Sequence, residues 1–188
     1  MKVWLASGSP RRRELLGAAG VEVEVRPSNA DESRVPGTPP PQHALELARR
    51  KASTAPADRL VVAADTVVHR DGVIYEKPAD RSEARDTLRA LSGATHEVTT
   101  GVVVRRGDRE RAFTVSTTVR FRALTDDEIE RYLRTGEADD KAGAYGIQGH
   151  GGALVDRVEG SYTNVVGLPL PETLALLRRV GLGDTGGG

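Results

Sequence analysis

The sequence predicts an α/β fold for this chain of 188 residues. The chain opens on a strand, a turn and a helix, and β-prone runs then alternate with segments of helical periodicity. Two long strand-like runs on either side of Gly107-Asp108 add a hairpin. Because 38% of the residues are hydrophobic, the chain can bury a substantial core, and we expect a single domain over residues 1–182.

The opening unit follows from its residue types. The run from Lys2 to Ala6 is β-prone, and Gly8 permits a tight turn after it. Ser9 is a favoured N-cap, and Pro10 suits the first helical position. The sequence therefore predicts a strand, a turn and a helix at residues 10–19.

The other elements follow from apolar spacing and from turn residues. Proline density excludes regular structure from residues 26–41, and Gly186-Gly187-Gly188 makes residues 183–188 a flexible tail. The predicted elements are a strand at 21–25, a helix at 42–55, a strand at 60–68, a turn at Asp71-Gly72 with a strand at 73–75, a helix at 81–92, hairpin arms at 96–106 and 110–122, a helix at 126–134, a strand around 153–158 and a helix at 171–180.

Composition excludes several classes of protein. Without cysteine the chain has neither disulfides nor thiolate metal sites. Basic and acidic residues number 27 each and aromatic residues make up 4%, so no stable nucleic-acid partner is expected. No apolar run reaches the roughly 18 residues of a membrane span, so we expect a cytoplasmic protein.

The histidines lack metal-ligand spacing and are expected to be structural or exposed: His43, His69, His96 and His150.

Three arginines stand in the first turn of the first predicted helix, at Arg11, Arg12 and Arg13. A cation there opposes the helix dipole at a cost of about 0.3–1 kcal/mol, so the arrangement favours an external anion such as phosphate. Ser7 and Ser9 can donate hydrogen bonds, and guanidinium groups bind phosphate oxygens in pairs. The alternative is a solvated basic turn.

Two charged residues occur in apolar surroundings. Asp65 interrupts the apolar strand at 60–68, and an unpaired buried charge costs several kcal/mol, so Asp65 requires a cation. It is either a functional acid or a structural one satisfied by a lysine. Lys51 lies beside the apolar face of the helix at 42–55. We expect it to point partly inward, or else to extend to the rim.

Glycine is concentrated between Gly136 and Gly152, a segment that includes the run from Ala142 to Gly149. Such a segment lets the backbone approach a ligand closely, or it serves as a flexible connector. The spacing alone leaves both readings open.

Five segments together resemble the Maf family of nucleoside triphosphate pyrophosphatases. They occur in the expected order between about Leu5 and Leu170, which is more specific than any one motif. The segments are Ser7 to Arg12, Ala64-Asp65-Thr66, Glu76-Lys77-Pro78, Gly143 to Gly149 and Gly160 to Pro169.

The resemblance implies a fold and an activity. The fold is the inosine-triphosphate-pyrophosphatase-like (Maf/Ham) α/β fold, with a mixed sheet flanked by helices and two lobes around a central cleft. The activity is hydrolysis of a nucleoside triphosphate to the monophosphate and pyrophosphate, with a divalent cation, Mg²⁺ or Mn²⁺. The family also implies a cytoplasmic enzyme that is often a homodimer.

The resemblance also implies roles for individual residues. Asp65 corresponds to the proton acceptor, and Arg12, Thr66 and Gln148 match specificity positions. Ser7, Arg11, Glu32, Lys51, Glu76 and Lys77 match other positions of the site. The cations among them can balance triphosphate charge, and Glu32, Glu76 and Asp65 are candidate metal ligands.

The segment from Tyr145 to Gly149, together with Asp65-Thr66, resembles the branch of the family that acts on dTTP and UTP. The Gln148 amide can pair with the O4 and N3–H edge of thymine or uracil, although backbone amides can do the same. A second hypothesis is a nucleotide-binding regulator of septum formation with little hydrolysis, because the family is associated with that role. A carboxylate beside polyphosphate favours the enzyme, since a pure binder gains little from it.

Overall fold

The computed structural model describes residues 2–182, which form a mixed seven-stranded sheet flanked by helices. The predicted tail at 183–188 lies outside the described residues. No helix within residues 2–182 has both the length and the apolar character that a membrane crossing requires. The α/β class and the mixed sheet are confirmed.

The sheet has a parallel part and a larger antiparallel part. Its strands are β1 (Lys2–Leu5), β2 (Glu22–Val25), β3 (Val61–Arg70), β4 (Val73–Tyr75), β5 (Thr95–Arg106), β6 (Arg109–Phe121) and β7 (Val155–Glu159). The order is β2-β1-β3-β5-β6-β7, and β4 pairs with β3 beside this path. β1 runs parallel to β2 and β3, whereas all other pairs are antiparallel.

Of the six α-helices in residues 2–182, all but α5 agree with the predictions to within a few residues. They are α1 (Pro10–Ala18), α2 (Pro40–Ser53), α3 (Arg81–Leu91), α4 (Asp126–Leu133), α5 (Tyr162–Val166) and α6 (Leu170–Leu182). The loop after β2 is shorter than predicted, because α2 begins at Pro40. Proline is tolerated there, since the backbone N–H groups of the first helical turn have no partner within the helix. Three short segments were not predicted: α5 and the 3₁₀ turns Ala142–Ala144 and Gly149–Leu154.

One edge of β3 is open over five residues. β1 pairs with β3 as far as Val62, and β4 pairs with it only from Val68 onward. Between them, residues 63–67 have β5 on one side and no described strand on the other. The chain leaves β1 and β4 near this gap, so the loops that follow these strands can converge there.

The apolar core is divided along the long strands. One part combines β1, α1 and α6 around residues such as Leu5 and Leu16, with α2 covering the opposite face. The other part combines α3 and α4 with Phe121 and Tyr145.

α2 packs unusually close to the sheet at Gly101. This glycine pairs with Asp65 across β5 and β3. A Cβ atom at Gly101 would lie 2.5 Å from the backbone nitrogen of Leu45 and 2.6 Å from the carbonyl carbon of Ala44. Backbone atoms cannot move aside as a flexible side chain can, so this close packing of α2 on β5 requires glycine.

Candidate active site

A cavity of about 840 Å³ lies at the open edge of β3, between the two parts of the core. All ten side chains predicted for the site line it: Ser7, Arg11, Arg12, Glu32, Lys51, Asp65, Thr66, Glu76, Lys77 and Gln148. A smaller cavity of about 590 Å³ beside Gly107 contains none of them. The structure therefore brings residues that are distant in sequence into one site.

A buried ion pair joins α2 to β3 in this cavity. The Lys51 Nζ atom lies 2.6 Å from Asp65 Oδ1 and 3.3 Å from Glu32 Oε1. The side chains of Lys51 and Asp65 are 10% and 12% exposed, whereas that of Glu32 is 53% exposed. The predictions that Asp65 requires a cation and that Lys51 points inward are confirmed. The ion pair alone is compatible with either a structural or a functional aspartate.

Arg12 is buried and connects three segments of the site. Its guanidinium donates from Nη1 to Ser7 Oγ at 2.9 Å, from Nη2 to Thr66 Oγ1 at 3.0 Å and from Nε to the Gly167 carbonyl at 2.8 Å. Burial lowers the pKa of the Arg12 guanidinium, and the nearby Asp65 carboxylate acts in the opposite direction. Three of its five N–H groups are thus bound to protein, which makes Arg12 a brace as well as a candidate ligand-binding group.

The first turn of α1 faces the cavity without a side-chain cap. Ser9 occupies the N-cap position as predicted, but its side chain makes no capping hydrogen bond. Its N–H instead donates to Ser7 Oγ at 3.2 Å. Since Pro10 and Arg11 also line the cavity, the positive end of the helix dipole lies at its wall.

Glu76 and Lys77 reach the cavity from the segment after β4. Both residues are exposed, and no hydrogen bond or ion pair of either side chain occurs within residues 2–182. The Glu76 carbonyl accepts from the N–H of Gly143 at 3.3 Å, which connects this segment to the glycine-rich one. The two side chains are therefore free to bind a ligand.

The glycine-rich segment is ordered by specific contacts. Gly143 has a φ of +72°, and a Cβ atom there would lie 2.8 Å from Val68 Cγ1. The Tyr145 hydroxyl lies 2.8 Å from His96 Nε2, and burial lowers the pKa of His96 to about 4. At neutral pH this histidine is therefore uncharged. These contacts favour a shaped wall of the cavity over a flexible connector.

The cavity offers oxygen ligands but no complete metal-binding cluster. Within residues 2–182, no group of three or more His, Cys, Asp or Glu side chains is arranged to hold a metal ion. Glu32 and Asp65 nevertheless share the Lys51 ammonium, and Glu76 lines the same cavity. Mg²⁺ commonly binds one or two carboxylates together with water and substrate phosphates, so this donor set fits such an ion only with a phosphate ligand.

The comparison with protein families identifies the class of protein. Residues 2–180 match the family described as "Maf-like protein". The chain therefore belongs to the Maf family, as the order of its five motifs predicts.

Named relatives match nearly the whole chain. A dTTP/UTP pyrophosphatase of Anaeromyxobacter dehalogenans (strain 2CP-C) is 55% identical, with 94% of this chain and 93% of the relative covered. A dTTP/UTP pyrophosphatase of Deinococcus radiodurans is 50% identical, with 98% and 96% covered. Among solved structures, the Ham1 protein of Staphylococcus aureus has a TM-score of 0.45 and 13% identity, covering 82% of this chain and 80% of its own.

Two residues that shape the site were not found by sequence reasoning. Gly101 appears in the sequence as an ordinary strand residue, and its contact with α2 depends on tertiary packing. Glu137 lies near the start of the glycine-rich segment and binds the backbone near its end, at His150 and Gly151. Neither carries a periodic or motif signal.

The Arg12 contacts predict that Arg12→Lys destabilises the protein. Lysine keeps the charge, but its single ammonium cannot reproduce three bonds made in three directions. We expect the free energy of unfolding to fall by about 1–3 kcal/mol, as measured by urea titration. Arg13→Lys is the matched control, because Arg13 is the exposed neighbour on the same helical turn. Equal stability of the two variants would contradict the bracing role.

Proposed function

We propose that this protein is a nucleoside triphosphate pyrophosphatase that hydrolyses dTTP and UTP to the monophosphate and pyrophosphate. The main structural support is the buried Asp65 carboxylate, paired with Lys51, in a cavity that also presents cationic side chains and the Gln148 segment. The names of the close relatives support the same activity. The cavity has the size of a small-molecule site.

The cations suit a triphosphate. Arg11, Lys51 and Lys77 line the cavity, and the uncapped end of α1 adds the partial positive charge of its dipole. Guanidinium and ammonium groups placed where charge develops stabilise the leaving pyrophosphate. Lys77 is free to bind phosphate, since no described protein group occupies its ammonium.

Asp65 is the proposed general base. Its carboxylate takes a proton from water, the resulting hydroxide attacks the α phosphorus, and the bond from this phosphorus to the bridging oxygen breaks. Pyrophosphate leaves with the electron pair. Lys51, at 2.6 Å, holds the carboxylate in one orientation. A protein that only binds nucleotides gains little from a carboxylate beside phosphate, which disfavours the regulatory alternative.

Glu32, Glu76 and Asp65 are the residues proposed to hold a divalent cation together with the substrate phosphates. When bound, Mg²⁺ or Mn²⁺ would neutralise phosphate charge. A homodimeric state and a cytoplasmic location stay predictions from the family resemblance.

Gln148 is the proposed reader of the base. Its side chain is exposed at the cavity wall and has an amide that both donates and accepts hydrogen bonds. Arg12 and Thr66, which also line the cavity, are proposed to shape specificity, and Arg12 donates to the Thr66 hydroxyl.

The proposed reaction predicts pyrophosphate and nucleoside monophosphate as products. The purified protein is incubated with UTP and Mg²⁺, and the products are resolved by anion-exchange chromatography. Release of orthophosphate and UDP would contradict attack at the α phosphorus.

Asp65→Asn is expected to lower turnover roughly 100-fold or more, because the amide keeps the shape but cannot accept the proton. Nucleotide binding, measured by calorimetry, should persist. Asp71→Asn is the control, since Asp71 lies at the exposed turn that ends the same strand and asparagine tolerates its φ of +52°. A folded Asp65→Asn protein with near-normal turnover would exclude Asp65 as the base.

Pyrimidine selectivity is expected to appear as a higher kcat/KM for dTTP and UTP than for GTP. One unmatched polar pair costs about 1–3 kcal/mol, which corresponds to roughly 5- to 150-fold discrimination. The test compares dTTP, UTP, CTP, GTP and 7-methyl-GTP. A preference for either guanine nucleotide would contradict the substrate assignment and leave the pyrophosphatase chemistry in place.

A further inference from the structure

The position of Gln148 depends on its backbone. Its side chain is exposed, and in the described part of the chain it makes no hydrogen bond to protein. A residue that reads a base must be held within about 0.5 Å and about 10–20° of the productive geometry. The groups that hold the flanking backbone therefore decide whether Gln148 can select a base.

On the N-terminal side, two tyrosines hold the segment. The Tyr132 hydroxyl accepts a hydrogen bond from the N–H of Gly146 at 3.2 Å. The Tyr145 hydroxyl lies 2.8 Å from His96 in the core. Burial raises the pKa of both phenols, so both stay protonated near neutral pH.

On the C-terminal side, a carboxylate holds the residues that directly follow Gln148. Glu137 Oε1 accepts from the backbone N–H of His150 at 3.0 Å and lies 2.7 Å from His150 Nδ1. Glu137 Oε2 accepts from the N–H of Gly151 at 3.1 Å. Both oxygens of one side chain thus bind the turn that follows Gln148.

Gly149 packs closely against the Glu137 carboxylate. Its φ is +70°, and a Cβ atom there would lie 2.6 Å from Glu137 Oε1. The residue directly after Gln148 therefore packs against the same oxygen that binds His150.

Glu137 is itself held in place and ionised. Its N–H donates to Thr135 Oγ1 at 3.2 Å, and its carbonyl accepts from Lys141 Nζ at 2.8 Å. Burial opposes ionisation of the carboxyl, but the hydrogen bonds from His150 and Gly151 outweigh it and lower the pKa of Glu137. Glu137 can thus act as a fixed anchor.

We propose that Glu137 is a positioning residue for base selection, which holds the turn at Gly149–Gly151 so that Gln148 faces the base of the substrate. This inference rests on the proposed function. It assigns to Glu137 no contact with the reacting atoms, so the chemistry at Asp65 should continue when Glu137 is altered.

The test measures kcat and KM for UTP and GTP with Glu137→Gln and the wild type. The glutamine amide has only one acceptor oxygen, so either the contact with His150 or the contact with Gly151 loses its acceptor. We expect the ratio of kcat/KM for UTP to that for GTP to fall roughly tenfold or more, mainly through a higher KM for UTP, with kcat for UTP nearly unchanged. Asp139→Asn is the control, because Asp139 is an exposed carboxylate two residues away on the same turn.

A second variant perturbs the same contact from the other side. Gly149→Ala places a methyl group against Glu137 Oε1 and should lower the UTP-to-GTP ratio in the same way, even if Glu137→Gln does not fold. An unchanged ratio in a folded variant, or an equal loss of activity on both nucleotides with a lower Tm, would overturn the positioning role. A wild-type protein without pyrimidine preference would instead overturn the proposed substrate assignment, and this inference with it, and would leave the pyrophosphatase chemistry in place.

Discussion

The buried contact between Lys51 and Asp65 is the constraint on which the site depends. Removing one partner of such a pair leaves an uncompensated charge and costs about 3–5 kcal/mol, so α2 and β3 must meet in one register. The small residues of the interface meet this requirement, because Ala48 and Ala52 let α2 lie close to Val61 and Ala63. The ion pair thus fixes how α2 packs against β3, and it also places the Asp65 carboxylate in the cavity.

The second constraint is the change of partner along one edge of β3. A parallel strand covers its first residues and an antiparallel hairpin covers its last, which leaves residues 63–67 without a described strand on that edge, where Asp65, Thr66 and Val67 line the cavity. Ligands of α/β proteins commonly bind where strand connections diverge in this way. Here the divergence places Asp65 in a rigid strand while the phosphate-binding candidates lie on loops that converge on it.

Much of the fold could be predicted from sequence because it depends on local signals, whereas the residues that line the cavity were selected by the family resemblance. Apolar spacing and turn residues located α2, β3 and the β5–β6 hairpin, and the order of the motifs predicted that Ser7 and Gln148 belong to one site. The contacts that orient these groups could not be predicted. Gly101 acts through its contact with the α2 backbone, Glu137 binds backbone N–H groups 13 and 14 residues further along the chain, and the three bonds of Arg12 join residues up to 155 positions apart.

The close packing at Gly101 makes catalysis sensitive to a residue that lies outside the lining of the site cavity. A methyl group at Gly101 would displace α2 from the sheet. It would thereby draw the Lys51 ammonium away from the carboxylate of Asp65, the β3 residue that pairs with Gly101. The defect would first be seen as a loss of turnover, although the altered residue touches neither phosphate nor base. Kinetic data alone would assign Gly101 to the active site, and only the backbone geometry identifies it as a spacer between helix and strand.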